Sequence, residues 1–369
     1  MTGYAPQGSV PDMVQLLTPE GERVTHDRFE FTGNDDDLRT FLRDMVLARR
    51  YDAEATALQR HGELGLWTPL QGQEAAQVGS ARALRPLDVV FPSYREHAVM
   101  MVRGVPWQNP LALFRGSDQG DWEGLDLFRN YAIVIGTQTL HATGYAMGMQ
   151  YDGLVGNPDS ADNGAVIVYH GDGASSQGDV NEAYVFAASY NAPVVFFCQN
   201  NQWAISEPIT RQTKIPLFQR ALGFGFPGVQ VDGNDVLAVH AVTEWALERA
   251  RSGQGPTFVE AFTYRMGAHT TADDPTKYRL AEENEHWRLK DPIERVRAHL
   301  LRQGLIDDAF LADLDAEADQ LGADVRRVCK ELPDRTMDQL FDSVYANQTA
   351  QLDEQRREFV DYQASFEDA

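Results

Sequence analysis

The chain has 369 residues, 43% of them hydrophobic, and a net charge of -23, which suits one large α/β domain with appendages or two domains. That acidic excess repels nucleic acid and anionic membranes at long range and excludes both as principal partners, although an acidic surface also simply favours solubility. No apolar run approaches the ~18 residues of a membrane span, the start MTGYAPQGSVPD lacks a secretory pattern, and Cys198 and Cys329 offer neither metal spacing nor a disulfide framework, so a soluble cytoplasmic protein is expected.

Residues 1–34, rich in Gly, Pro and polar side chains, read as an extended arm that packs on another surface or frays. From Asp35 the run DDLRTFLRDMVLARRYDAEATALQR repeats apolar residues at helical spacing behind an acidic start, which predicts a long amphipathic helix. Gly62 to Gly65 break it, and a second helix is expected from Gln73 to Leu84 after the loop LWTPLQG. Val89-Val90-Phe91 reads as a short strand that exits into Pro92-Ser93-Tyr94-Arg95-Glu96. An arginine at a strand exit suits a ligand, and it equally suits a helix cap or a surface carboxylate. Residues 116–130 form a glycine-rich acidic loop longer than a simple connector, expected to be mobile. Ile135-Gly136-Thr137-Gln138 then precede a helical run, Leu140 to Tyr151.

The stretch Ala165 to Ser206 is the most informative. Two apolar runs, Ala165 to Tyr169 and Val194 to Cys198, flank a helical pattern that starts near Asp179, so the stretch reads as a βαβ unit of buried parallel strands. The first strand ends in Gly171-Asp172-Gly173 and the second in Asn200-Asn201. Ligands bind at the carboxyl ends of such strands. Glycines let the backbone approach a ligand, and a helix N-terminus favours negative charge, which together suit a diphosphate. Asp172 then offers a hard anionic oxygen and Asn201 a neutral amide oxygen, which with diphosphate oxygens and water complete the octahedral shell that magnesium requires. Either motif alone also reads as a tight turn or a polar strand exit; the ordered pair is what carries the functional reading.

Val229 to Asp232 and Thr257 to Thr263 are further strands, with a helix from Asp235 to Arg251 capped by the Asn234-Asp235 pair. The alternation predicts an α/β fold with a doubly wound parallel sheet over 35–290. From Asp291 the chain reads as helical to residue 369, a region expected to pack on the sheet or on a partner subunit. The nine histidines show no zinc spacing, and no G-x-S-x-G elbow or G-x-G-x-x-G turn is present, which removes the common hydrolase and nicotinamide readings.

Asp172 to Asn200, about 28 residues in strand–helix–strand order, is the thiamine-diphosphate fingerprint. On it the chain resembles the α subunits of the decarboxylating component of 2-oxo acid dehydrogenase complexes, the pyruvate, branched-chain and related acetoin enzymes. The resemblance implies the thiamine-diphosphate-binding fold, with cofactor contacts from Tyr94, Arg95, Ile135, Thr137, Gly171, Asp172, Gly173, Ala174, Asn201, Trp203, Ala204 and His269. It implies magnesium on Asp172, Asn201 and the backbone carbonyl of Trp203. The loop YRMGAHTTADDPTKYR, Tyr264 to Arg279, is similar to the family's active-site loop, so His269, which as a lone loop histidine would simply be exposed, becomes the expected catalytic residue, able to donate to a diphosphate or to a 2-oxo acid. Arg265 and Arg279 are expected to order this loop through Asp273 and Asp274. Thr270 matches a position phosphorylated in mitochondrial relatives. Leu66 and Trp67 occupy a loop that lines the acyl pocket in relatives, where leucine leaves room for a branched substrate.

Gln199 departs from some branched-chain relatives, which carry a diphosphate-binding arginine there. The glutamate that activates the cofactor belongs to a second α/β domain in this family, and no second set of alternating strands and helices follows residue 263. The resemblance therefore implies a separate β subunit in an α2β2 assembly and a lipoylated acyltransferase that receives the acyl group from a small 2-oxo acid. An acetoin-oxidising subunit and a non-catalytic cofactor-binding subunit are the alternatives.

Overall fold

The computed structural model describes residues 13–118, 122 and 126–366. Residues 1–12 of the arm and residues 119–121 and 123–125 of the loop expected to be mobile lie outside the described residues. The strands are β1 (Val89–Phe91), β2 (Val166–Gly171), β3 (Val194–Asn200), a hairpin of β4 (Trp203–Ala204) and β5 (Glu207–Pro208), β6 (Gly228–Asp232) and β7 (Thr257–Phe262). All but the hairpin join one parallel sheet in the order β1-β2-β3-β7-β6. β3 is buried along its whole length, as an apolar run must be when helices cover both faces of a parallel sheet.

Helices α1 (Asp35–Arg60), α2 (Glu74–Arg82), α3 (His97–Val102), α4 (Gln108–Arg115), α5 (Thr137–Tyr151), α6 (Gly178–Tyr190), α7 (Ile209–Gln212), α8 (Arg220–Phe224) and α9 (Val236–Arg251) surround it. Side chains alternate across each strand. Ile167, Tyr169, Val195 and Phe197 therefore join one core with Met45 of α1, Val78 of α2 and Val239 of α9. Val166, Val168, Val194 and Phe196 join the other with Ala142 of α5 and Val180 and Ala183 of α6. The sheet is doubly wound.

Local chemistry sets the element ends. Asn34 and Asp37 form a capping box at the start of α1, with Asp35, Asp36 and Asp37 in its first turn. Asp235 alone caps α9, accepting from the N–H groups of Leu237 and Ala238, while its other oxygen accepts from Leu16 and Leu17. Asn234 was expected to share the cap; its amide instead donates to the Lys290 carbonyl and accepts from the Thr263 hydroxyl. The described part of the arm runs along β6, where Val14 exchanges backbone bonds with Gln230 and Asp232 and covers the exposed edge of the sheet.

After Phe262 the described residues form no further strand. Helices α10 (Ala281–Arg288), α11 (Pro292–Arg302), α12 (Asp308–Glu331), α13 (Met337–Asp342) and α14 (Ala350–Ala364) follow. α11 and α12 pack chiefly on α1, and α12 also meets α4. Of the two expected seats, the sheet is met only at its end, where Arg295 of α11 pairs with Asp232 of β6; the amphipathic stripe of α1 already covers that face, and the outer side of α1 offers the free surface. Among the described residues no helix is long and apolar enough to cross a membrane.

Candidate functional site

Parallel pairing aligns Gly171 with Gln199 and Asn200 with Phe262, so β2, β3 and β7 release the chain at one edge of the sheet. The segment after β1 arrives beside them, and a cavity of about 200 Å³ opens between these exits. Its lining brings together Tyr94, Arg95, Ile135, Gly171, Asp172, Gly173, Ala174, Asn201, Trp203, Ala204 and His269, drawn from segments as far apart as the exits of β1 and β7. Thr137 opens α5 and is not among the lining residues. Leu66 and Trp67 are not either. Trp67 is fully buried in the core, stacked on His97 at 4.3 Å and donating its indole N–H to Asp52 at 2.8 Å.

Asp172 stands at the exit of β2, 1% exposed, where one short 3-10 turn (Gly173–Ser176) precedes α6. Gly173 is required by packing, because a Cβ there would lie 2.7 Å from that of Ala204. One Asp172 oxygen accepts from Gln212 Nε2 at 2.7 Å. Burial pushes its carboxyl up to about 6, and a cation beside it would hold the ionised form. Asn201 presents Oδ1, which accepts from the Trp203 N–H at 3.3 Å, while its Nδ2 donates to Gln73 at 3.1 Å. The Trp203 carbonyl accepts from Arg265 Nη1 at 3.1 Å, which leaves one lone pair. The β4–β5 hairpin that carries Trp203 is strained: Gln202 and Ile205 have φ of 70° and 55°, and a β-branched residue in that region is a backbone outlier of the kind stored at functional sites.

Two guanidinium groups define the electrostatics. Arg95 is 5% exposed and Arg265 0%. Neither has a carboxylate within ion-pair distance among the described residues. Arg95 donates to the carbonyls of Pro69 and His269 at 2.5 and 2.8 Å, and Arg265 to those of Trp203 and Ile205 at 3.1 and 2.8 Å. Carbonyl dipoles only partly offset two buried charges, so the site is built for an anion. His269 lies between them, with Nδ1 3.4 Å from Arg95 Nη2 and 3.2 Å from Arg265 Nη1. Facing two donors, Nδ1 acts as the acceptor and the ring proton belongs to Nε2. Burial, then the charges of Arg95 and Arg265, lower the imidazole to about 3, so His269 is neutral at ordinary pH.

The loop from Tyr264 to Arg279 is ordered differently from expectation. Arg279 donates to the carbonyls of Arg265, Met266 and Gly267. Asp273 accepts instead from the His269 N–H at 2.9 Å and from the Tyr278 hydroxyl, and that hydroxyl accepts from Arg265. Asp274 turns to Thr276. Carbonyls win because both arginines are buried under the loop backbone, where the nearest acceptors are main-chain oxygens.

Sequence reading missed four polar residues of the lining, Gln73, Ser93, Glu96 and Gln138. Glu96 is 1% exposed and accepts from the Ser93 N–H and from Gln199 Nε2, both at 2.5 Å; burial raises its carboxyl. Gln199, which has no guanidinium to offer, thus ties the exit of β3 to the segment after β1. The buried atoms Gln73 Nε2, Gln138 Oε1 and Gln199 Oε1 have no hydrogen-bond partner among the described residues. The only available signal was their place beside strand exits or in the Gly72-Gln73 turn.

A family model described as the dehydrogenase E1 component matches residues 42–335. The chain is 44% identical over 351 residues to the 3-methyl-2-oxobutanoate dehydrogenase subunit alpha of Mycobacterium tuberculosis (strain ATCC 25618 / H37Rv), covering 94% of this chain and 92% of that protein. It is 38% identical over 352 residues to the pyruvate dehydrogenase E1 component subunit alpha of Staphylococcus aureus (strain Mu50 / ATCC 700699), covering 93% and 91%.

Proposed function

The chain belongs to the dehydrogenase E1 component family, and from that premise we propose that its cavity holds the diphosphate end of thiamine diphosphate, with magnesium, and serves a branched-chain 2-oxo acid. The protein is the α subunit of a 2-oxo acid dehydrogenase, an oxidoreductase dependent on thiamine diphosphate, with a β subunit as its partner. The observation that carries the cofactor reading is the buried guanidinium of Arg95, with no carboxylate in ion-pair distance among the described residues, lining one cavity with Asp172 and Asn201, while Arg265 lies behind the wall on the Trp203 and Ile205 carbonyls. Such a cavity suits an anion beside Arg95 and a cation beside Asp172.

Bound thiamine diphosphate supplies a nucleophilic carbon and an electron sink for decarboxylation. The chain supplies placement. Arg95 offers a fork of donors to phosphate oxygens; Asp172, Asn201 Oδ1 and the Trp203 carbonyl are the oxygen ligands for magnesium. Neutral His269 offers its Nε2–H to a substrate carboxylate or carbonyl without adding charge.

The preference for a branched substrate rests on the higher identity to the 3-methyl-2-oxobutanoate enzyme, since Leu66 is absent from the cavity lining and lends no support. An α2β2 assembly is supported by an apolar surface on α5 and α6, where Tyr145, Val185, Phe186 and Tyr190 are exposed. A Cβ on Gly144 or Gly148 would meet nothing within 4 Å, so the backbone of α5 is open to close approach there. The lipoylated acyltransferase follows as acyl acceptor. The test is co-expression with the β subunit and a panel of pyruvate, 3-methyl-2-oxobutanoate and acetoin against a lipoylated acceptor. Turnover is expected to favour 3-methyl-2-oxobutanoate and to vanish for the chain alone. Faster turnover of pyruvate or acetoin would overturn the substrate assignment, and robust turnover by the isolated chain would overturn the half-site.

A further inference from the structure

Gln73 sits at the start of α2, 0% exposed, on a turn with little freedom. Gly72 before it has φ of +95°, and a Cβ there would lie 2.3 Å from the Tyr264 carbonyl. The Thr263 hydroxyl bonds the Gly72 carbonyl at 2.8 Å, and the Met266 N–H bonds that of Gln71 at 3.0 Å. The turn is thus fastened to the root of the His269 loop, so the Gln73 side chain is aimed by backbone and not by chance.

That side chain has two ends with different duties. Oε1 accepts from Asn201 Nδ2 at 3.1 Å. The Asn201 amide could present either its oxygen or its nitrogen to the cavity, and only its hydrogen bonds decide which. The Trp203 N–H on Oδ1 and the Gln73 oxygen on Nδ2 select the same orientation of the amide, with Oδ1 as its free acceptor. The other end, Nε2, is buried and has no partner among the described residues, on a residue that lines the cavity. An unpartnered buried amide donor destabilises the fold unless a ligand accepts from it, and its chemistry fits an anionic oxygen.

We propose that Gln73 is a positioning residue for the cation site and a direct donor to the anion held with it: its oxygen fixes the Asn201 amide with Oδ1 toward the cation, and its nitrogen bonds a diphosphate oxygen or a water of the cation's shell. This rests on the cofactor reading above. It adds a residue from the N-terminal half, outside both strand-exit motifs, to the machinery. Outer partners of metal ligands are worth roughly 10–100-fold in metal affinity, and Gln73 stands in that relation to Asn201.

The test uses the full chain co-purified with its β subunit and stripped of metal and cofactor. Thiamine diphosphate binding is followed by quenching of tryptophan fluorescence, Trp203 being in the cavity wall, while Mg²⁺ or Mn²⁺ is titrated. Gln73→Met keeps the shape and removes both amide functions; the metal concentration for half-saturation is expected to rise roughly 10–100-fold with the melting temperature of the stripped protein unchanged. Gln73→Glu keeps an acceptor for Asn201 Nδ2 and is expected to return the metal requirement to within about threefold of native while cofactor affinity stays low, because the donor to the anion is gone. A structural role alone would not split the two readouts in this way. Native metal dependence in Gln73→Met, or identical losses in both variants, would overturn the proposal and leave the cofactor reading standing. Failure of the native complex to bind thiamine diphosphate with either metal would overturn both.

Discussion

His97 shows at the scale of one residue how burial sets the acid limit of this protein. Its ring is fully buried against Trp67, contacts Thr68 and the Tyr131 hydroxyl, and is lowered to about 3 by desolvation. Unfolded, it would titrate at its ordinary 6.5. The folded state therefore refuses a proton that the unfolded state accepts, so its contribution is fully present above pH 6.5 and is lost as pH falls toward 3. The slope approaches about 1.4 kcal/mol per pH unit for one proton. Urea melts at pH 7, 6, 5 and 4 should show native stability falling more steeply than that of His97→Gln, which is less stable at neutrality but loses the pH-dependent component; parallel curves would contradict this. Comparison with the variant is needed because Asp52 and Asp172, both raised to about 6 by burial, act with the opposite sign over part of that range. His269 is lowered to about 3 as well, so in the chain without cofactor its ring resonances should stay those of a neutral imidazole through pH 5, as a two-dimensional NMR titration against His269→Gln would reveal.

Among the elements, the turn at Gly72 is the most constrained. With a left-handed φ and the Tyr264 carbonyl 2.3 Å from any added Cβ, Gly72→Ala has to strain its backbone and push the His269 loop outward, at a cost of about 1–3 kcal/mol. A lower urea midpoint and weaker cofactor binding are expected together; an unaltered midpoint would refute the close approach. This turn also shows what a sequence can and cannot reveal. The βαβ unit was legible because its runs, Val166–Gly171 and Val194–Asn200, are buried on both faces and need only local pattern to be seen. The capping box of α1 was half-legible, as the acidic residues after Asn34 mark a helix start without showing which one returns to the cap. Gln73, Glu96 and Gln138 were not legible as site residues, since their convergence depends on the strand order β1-β2-β3-β7-β6, which neither composition nor periodicity encodes. The arginines of the loop misled for a related reason: charge suggests pairing with Asp273 and Asp274, whereas burial gives each guanidinium to the carbonyls around it.

As a whole the molecule is one subunit of a pair, with an apolar face left open. Phe186 and Tyr190 stack at 6.1 Å on the exposed side of α6, 45% and 51% accessible, and a surface of this kind on a chain of net charge -23 is where a neighbour belongs. Phe186→Glu should leave the fold intact and weaken association with the β subunit at least about tenfold, read by sedimentation of the mixed subunits; full retention of the complex would place the interface elsewhere. The strand order carries a further consequence, for biosynthesis. β7 lies between β3 and β6, so on the ribosome the inner edge of β3 is made some 60 residues before the strand that covers it, β7 at Thr257–Phe262. During that interval a long, apolar, unpaired edge is open to other nascent chains. Among the described strands β6 pairs with β7 alone, so that end of the sheet, with the arm along it, can join the rest only after β7 has been made.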